Sequence, residues 1–216
     1  MSTVLIVSKT HMNNGVCVGA INEDNCELIR LHNEKGANLT ENAPYEIGDR
    51  WDVHVEKAWN ARPVPHVEDK QTTPNHKISN IGVCGIISFI LHHNFDDRLT
   101  EGSINDTFEG CLIFDGYRNY INKNRIPSFS TQFWIADEDL IHAEEYSKDY
   151  YYYKKIRIKF VGYQTIVDII PQGTIIRLSL ASWWNCDGST EERCYLQLSG
   201  WYYDTKSTPN ETNSNL

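Results

Sequence analysis

Apolar and polar residues alternate along much of this chain with the two-residue period of β-strands. TVLIVS, near the amino terminus, is a continuous apolar run and predicts a buried strand. VCVGAI and ELIRLH flank the turn-like NEDN and predict a hairpin. RWDVHVEKA alternates Trp51, Val53 and Val55 with polar residues, which predicts a half-buried strand.

The carboxyl-terminal third repeats this pattern. KIRIKFV alternates in the same way and predicts a hairpin with TIVDII through the turn GYQ. TIIRLSLA and RCYLQLSGWYY predict a further strand pair that turns at Asp187-Gly188. Many short strands with few helices favour an all-β fold of small barrels or sandwiches.

The middle of the chain is less regular. NARPVPHVEDKQTTPNH holds three prolines and predicts a loop. SNIGVCGIISFILHHN predicts a helix capped by Ser79 or Asn80, with its apolar face formed by Ile81, Cys84, Ile87 and Leu91. FWIADEDLIHAEEY fits a strand or a short helix. We therefore expect a first β-module over residues 1–75, a second over 76–205 and a disordered polar tail over 206–216.

Composition and charge restrict the function. The 216 residues are 40% hydrophobic and 23% charged, which is typical of a globular protein. A net charge of −9 argues against a protein that coats nucleic acid nonspecifically, although a local basic groove is compatible with it. The start lacks a basic leader and no apolar run could span a bilayer, so we expect a cytoplasmic protein without membrane contact. The six cysteines form no CxxC pair, and we expect neither a metal nor a cofactor.

Several stretches, taken in order, resemble one known family. They are TVLIVSKTHMNNGVCVGAI, ELIRLH, RWDVHVEKA, PVPHVED, KIRIKFVGYQTIVDII and CYLQLSGWY. This order resembles the dual OB-containing domain family over roughly residues 3–203. The resemblance implies two linked OB-type barrels and, by analogy of fold alone, nucleic-acid binding.

Two strand faces are candidate ligand surfaces. In the last predicted hairpin, an outward face carries hydrogen-bonding, cationic and aromatic groups suited to bases and phosphates: Arg177, Arg193, Tyr195, Gln197 and Trp201. The run YYYYKKIRIK adds Arg157 and Lys159 beside tyrosines. The alternatives are that the tryptophans pack under a loop and that nearby acidic residues neutralise the cations.

The first module contributes two further candidate cations, Lys9 and Arg30. Arg30 shares a strand face with Leu28 and His32. An arginine among apolar neighbours either pairs with a buried carboxylate or faces a groove. Both alternatives stay open for Arg30 at this point.

The PVPHVED loop groups His66, Glu68 and Asp69, which could perform acid-base chemistry or bind a metal. No nucleophile or metal motif accompanies them, so loop anchoring is the favoured role. We expect binding of single-stranded nucleic acid or a nucleotide-like ligand. The alternatives are an enzyme acting on nucleotides or nucleic acid, centred on this loop, and a protein-interaction module of a larger complex.

Overall fold

The structure, a computed structural model, describes residues 1–57, 63–116, 118–185 and 191–203. Its first part is a closed five-stranded barrel in the order β1-β2-β3-β5-β4. The strands are β1 (Ser2–Met12), β2 (Gly15–Asn22), β3 (Glu27–His32), β4 (Asp49–Lys57) and β5 (Asp69–Asn80). β3 and β5 are parallel, and the other neighbours are antiparallel. We call this barrel the first module.

One α-helix, α1 (Gly82–His92), follows the barrel. The later strands form an eleven-stranded sheet, here called the second module. They are β6 (Leu99–Gly102), β7 (Ile113–Phe114), β8 (Asn119–Asn122), β9 (Thr131–Ala136), β10 (Leu140–Glu145), β11 (Lys148–Tyr153), β12 (Ile156–Phe160), β13 (Ile169–Ile170), β14 (Ile175–Leu180), β15 (Trp184–Asn185) and β16 (Glu192–Tyr202). Short 3₁₀ turns occupy Asp96–Arg98 and Ile104–Gly110. The predicted all-β class with one or two short helices is confirmed.

The apolar run of β1 is continuous because both faces of the strand are buried. Val4 and Ile6 point into the barrel core. Leu5 and Val7 point outward and belong to a separate cluster that joins the two modules. This cluster, here called the intermodule core, draws apolar side chains from β2, β3, β9, β14, β16 and α1. The modules therefore share a buried apolar contact.

The prediction of a loop across the proline-rich segment is wrong from Asp69 onward, because β5 begins there. Pro74 lies opposite Val53 next to an irregularity in the β4–β5 pairing. Prolines are tolerated in strands at such irregularities. The predicted module boundary at 75/76 stays a prediction, and β5 runs across that position.

The predicted helix is confirmed, but its buried face is different. Ile86 and Ile90 are the buried residues, whereas Cys84 and Leu91 are exposed. Ile81 occupies the N-cap position, and the side chain of Asn80 accepts a hydrogen bond from the Gly82 amide.

The segment FWIADEDLIHAEEY contributes to two strands, β9 and β10. The hairpin partner of β12 is β11 in the tyrosine run, so the predicted partner TIVDII is wrong. β13, within TIVDII, pairs with β10. The antiparallel pair of β14 and β16 is confirmed. The Asp187-Gly188 turn and the 206–216 tail lie outside the described residues.

Candidate ligand-binding cleft between the modules

A cleft of about 680 Å³ opens between the outer face of the first module and the sheet of the second. This volume lies within the range of small-molecule sites. Five of the nine predicted ligand-binding residues line it: Arg30, Lys159, Arg177, Tyr195 and Gln197. The cleft thus brings together side chains from both modules that lie far apart in the sequence.

The strands that form the cleft change from apolar to polar along one face. On β3, Leu28 belongs to the intermodule core, whereas Arg30 and His32 line the cleft. On β14, Ile175 belongs to the same core and Arg177 lines the cleft. Alternate residues of a strand lie on the same face, so the core residues and the cleft residues of each strand are neighbours on one face. The intermodule core therefore closes the inner end of the cleft, and we call this inner end the floor.

Two carboxylates compensate the positive charge of Arg30 at the floor. Its guanidinium Nε lies 2.8 Å from Asp69 Oδ1, and its Nη2 lies 3.7 Å from Glu68 Oε2. Burial alone would lower the pKa of Arg30, but the negative charges of Asp69 and Glu68 raise it. Arg30 therefore both pairs with buried carboxylates and faces the cleft, which unites the two alternatives left open by the sequence.

Arg177 lies beside Arg30 in a different electrostatic situation. Its side chain is 2% exposed, and its Nε and Nη2 atoms have no hydrogen-bond partner among the described residues. Burial lowers its pKa, although an arginine remains protonated at physiological pH. The guanidinium packs against Gly19, where a Cβ atom would lie 2.7 Å from Arg177 Cζ and 2.5 Å from Ser8 Oγ. A Cβ atom at position 19 would therefore force the Arg177 guanidinium or the Ser8 hydroxyl to move.

Glu68 joins the modules on one side of the cleft. Its carboxylate is 1% exposed and accepts hydrogen bonds from the Ser130 amide (2.8 Å), the Ser130 hydroxyl (2.7 Å) and the Thr131 amide (3.1 Å). Arg98 Nη1 donates a further bond of 3.0 Å. Because these donors belong to the second module and Glu68 to the loop before β5, the carboxylate links the two.

His66 contributes to the same link. Its Nε2 donates toward the carbonyl oxygen of Ala181 at 3.0 Å, with that of Leu180 at 3.3 Å. Burial lowers its pKa to about 4, helped by the charge of Arg30, so the ring is neutral at pH 7. Asp69 lies against Arg30 and His32. The contacts of His66 and Glu68 thus position the loop against the second module, whereas Asp69 pairs within the first module.

Aromatic side chains stand at the cleft mouth. Trp184 is 57% exposed, and Trp183 donates through Nε1 to the Val64 carbonyl oxygen at 3.0 Å. Lys123 Nζ lies 3.8 Å from the centroid of the Trp183 ring. His11, which also lines the cleft, stacks on Tyr163 with a centroid distance of 3.8 Å. Such rings are suited to stacking with bases.

The other four predicted ligand-binding residues lie outside the cleft lining. Lys9 Nζ lies 3.3 Å from Glu46 Oε1. Arg157 pairs with Glu145, and Arg193 pairs with Glu191. Trp201 is 4% exposed and packs in the core of the second module.

The prediction that Trp201 faces outward with Gln197 is wrong because the β14–β16 register shifts. Arg177 lies opposite Gly200, and Leu178 lies opposite Leu198, so β16 holds one extra residue between these pairs. A single added residue reverses which side chains face each side of a sheet. Trp201 therefore turns into the core.

Sequence reasoning did not select His11, Cys17 or His32, which also line the cleft. A sequence signal for His32 exists, since it follows Leu28 and Arg30 at alternate positions on β3. His11 and Cys17 carry no comparable signal, because their place depends on how the modules meet.

The described residues limit other kinds of site. No group of three or more His, Cys, Asp or Glu side chains within the described ranges is arranged to hold a metal ion. Among the same residues, no helix combines the length and the apolar character needed to cross a membrane.

Barrel, sheet and cleft define a mainly β protein built around a closed five-stranded Greek-key barrel, the OB type of architecture. A sequence model of the dual OB-containing domain family matches residues 2–201, and the chain belongs to this family. The resemblance noted from the sequence is thereby confirmed. Comparison with curated proteins and with solved structures found no match.

Proposed function

We propose that this protein binds single-stranded nucleic acid or a nucleotide-like ligand in the cleft between its modules. The observation that carries the proposal is the meeting of cationic, amide and aromatic side chains from both modules around one cavity of about 680 Å³. OB-type domains generally bind nucleic acids or other ligands, which supports a ligand site on this fold. The cleft offers arginines for phosphate and rings for bases.

Charge pairing outside the cleft supports a localised site rather than an extended one. Arg157 and Arg193 each pair with a glutamate, and Lys154 Nζ lies 3.0 Å from Glu138 Oε1. The chain carries a net charge of −9, so a strand lying across the surface would meet repulsion. A ligand that enters the cleft meets Lys159, which forms no ion pair among the described residues, and Arg177.

Fluorescence anisotropy with a labelled hexathymidine strand at several salt concentrations tests the proposal. If Arg177 and Lys159 are the cations that contact phosphate, log K should fall with log salt with a slope of about −1.4. Lys159→Gln should weaken binding and reduce the slope by about 0.7. Lys155→Gln, an exposed lysine outside the cleft lining, is the matched control and should change neither.

The proposal is overturned if wild type binds neither the strand nor a thymidine nucleotide at low salt. It is also overturned if the two lysine variants weaken binding equally. Absence of binding would make the protein-interaction alternative the leading hypothesis.

A further inference from the structure

The polar side chains on the second-module wall of the cleft differ in whether the protein already satisfies them. The hydroxyl groups of Ser179 and Ser199 bond to each other at 2.6 Å. Thr131 donates its hydroxyl to Glu68 at 3.4 Å. The side-chain amide of Gln197, by contrast, forms no hydrogen bond with any residue that the structure describes. Gln197 therefore offers a donor and an acceptor to a ligand in the cleft.

Strands on both sides fix the position of Gln197. β16 lies between β12 and β14, and Gln197 is opposite Lys159 on β12 and opposite Ser179 on β14. Neighbouring strands lie about 4.8 Å apart, so the side chains of Gln197 and Lys159 leave the sheet side by side. A neutral group that both donates and accepts thus stands next to a cation that lines the same cleft.

Other amides line the cleft, but they do not lie on strands. Asn13 and Asn14 are exposed in the turn between β1 and β2, and Asn38 lies in the loop after β3. Sites built on strands hold their groups more precisely than sites on loops. Gln197 is therefore the amide best placed to distinguish one ligand group from another.

The charges at the floor are compensated within the protein. Two guanidinium groups, those of Arg30 and Arg177, are buried there with the carboxylates of Glu68 and Asp69. The ammonium group of Lys159 forms no ion pair among the described residues and stands beside Gln197. A ligand that matches this wall has a neutral hydrogen-bonding edge with a negative charge close by. A nucleotide has both features, in its base and in its phosphate.

We propose that Gln197 recognises the base of one unpaired nucleotide, with its side-chain amide donating to and accepting from the base edge while Lys159 contacts the adjoining phosphate. This proposal rests on the proposed function and adds a preference among bases. The nucleotide is free or part of a strand, since both present the same edge and phosphate. The Tyr195 ring, two residues away on the same face of β16, provides an apolar surface beside the base. Hydrogen bonds to the edges of unpaired bases distinguish one base from another.

Competition against labelled hexathymidine, followed by fluorescence anisotropy with the full chain, tests this proposal. The competitors are unlabelled hexathymidine and the monophosphates of deoxyadenosine, deoxycytidine, deoxyguanosine and thymidine. The strongest and weakest monophosphates should differ by roughly 5- to 150-fold, as for one bidentate contact with a base. Gln197→Ala should bring the four competition constants together. Thymidine monophosphate that competes as well as hexathymidine identifies the free nucleotide as the ligand, and a weaker effect identifies the strand.

A change of preference provides a sharper readout. Gln197→Glu replaces a donor and an acceptor with two acceptors. Guanine is the base whose Watson–Crick edge presents two adjacent donors, so this variant should favour deoxyguanosine monophosphate relative to wild type. Gln172→Glu makes the same change at an exposed glutamine outside the cleft lining and should leave the order of the four monophosphates unchanged.

NMR of the wild-type chain supplies a readout that needs no variant. The side-chain NH₂ signals of Gln197 should shift with the strongest monophosphate and not with deoxyribose 5-phosphate, which has no base. This measurement decides the assignment to Gln197 even if both variants at this position fail to fold.

Equal competition by the four monophosphates, or none by any of them, would overturn base recognition and leave the proposed function intact if hexathymidine binds. Absence of binding by hexathymidine and by every monophosphate would overturn both. A base preference that is unchanged in Gln197→Ala and Gln197→Glu would overturn the assignment to Gln197. Gln197 signals that move with none of the monophosphates would overturn it as well.

Discussion

Replacing Glu68 with glutamine removes one negative charge from the link between the modules while keeping the shape of the side chain. The buried carboxylate accepts bonds from Ser130, Thr131 and Arg98 and lies near Arg30. An amide retains one acceptor oxygen and turns an NH₂ group toward donors that it cannot satisfy. The variant therefore leaves buried donors and guanidinium charge without compensation.

The expected loss follows from these contacts. Hydrogen bonds to a charged group contribute about 1.5–3 kcal/mol each, and breaking a buried pair from one side costs about 3–5 kcal/mol. We take about 3–5 kcal/mol for Glu68→Gln, which is a large part of a typical total stability of about 5–15 kcal/mol. For a chain of this size, the melting temperature should fall by roughly 6–20 °C.

Urea unfolding followed by circular dichroism measures this loss. The matched control is Glu138→Gln, because Glu138 forms an exposed ion pair with Lys154 at 3.0 Å and should contribute at most about 1 kcal/mol. Equal stability losses in the two variants, or a Glu68→Gln loss below about 1 kcal/mol, would refute the assignment of Glu68 as the buried link.

Three further predictions concern the cleft and its surroundings. Burial lowers the pKa of His66 to about 4, so the unfolded chain takes up a proton near pH 6.5 and the folded chain does so only near pH 4. The free energy of unfolding should therefore fall by up to about 3 kcal/mol as the pH falls from 6.5 to 4. Urea titrations should show this fall for wild type and a smaller fall for His66→Gln. Gly19→Ala should cost about 1–3 kcal/mol of stability and weaken oligonucleotide binding in an anisotropy titration, since the new methyl group would occupy space held by Arg177. Trp184→Ala should weaken binding of the same strand by about 1–3 kcal/mol, whereas Tyr146→Ala, at an exposed turn outside the cleft lining, should not.

The local strand patterns were predictable from the sequence where alternation is regular. β2, β3, β14 and β16 follow such patterns, and their pairings agree with the predicted hairpins. The outward position of Arg177 on β14 also follows from alternation. What faces this position could not be predicted, because Gly19 and Ser8 belong to a different module.

The failures have identifiable physical causes. One extra residue in β16 turns Trp201 into the core, and alternation alone contains no signal for it. Pro74 suggested a loop, but it lies within β5 beside an irregularity of the pairing. TIVDII was predicted as the hairpin partner of β12, whereas the tyrosine run around Tyr152 forms β11 and takes that place. Each failure depends on strand register, which is set by contacts between distant segments.

NMR mapping of the side-chain N–H groups with unlabelled hexathymidine tests the central claim, binding in the cleft, most directly. Binding in the cleft predicts large shifts of the indole signals of Trp183 and Trp184, because these residues line the cavity. Arg157 and Arg193, which pair with glutamates outside the cleft lining, should show no comparable shift. Shifts at Arg157 or Arg193 with unchanged cleft signals, or no shifts anywhere at saturating strand, would contradict the account.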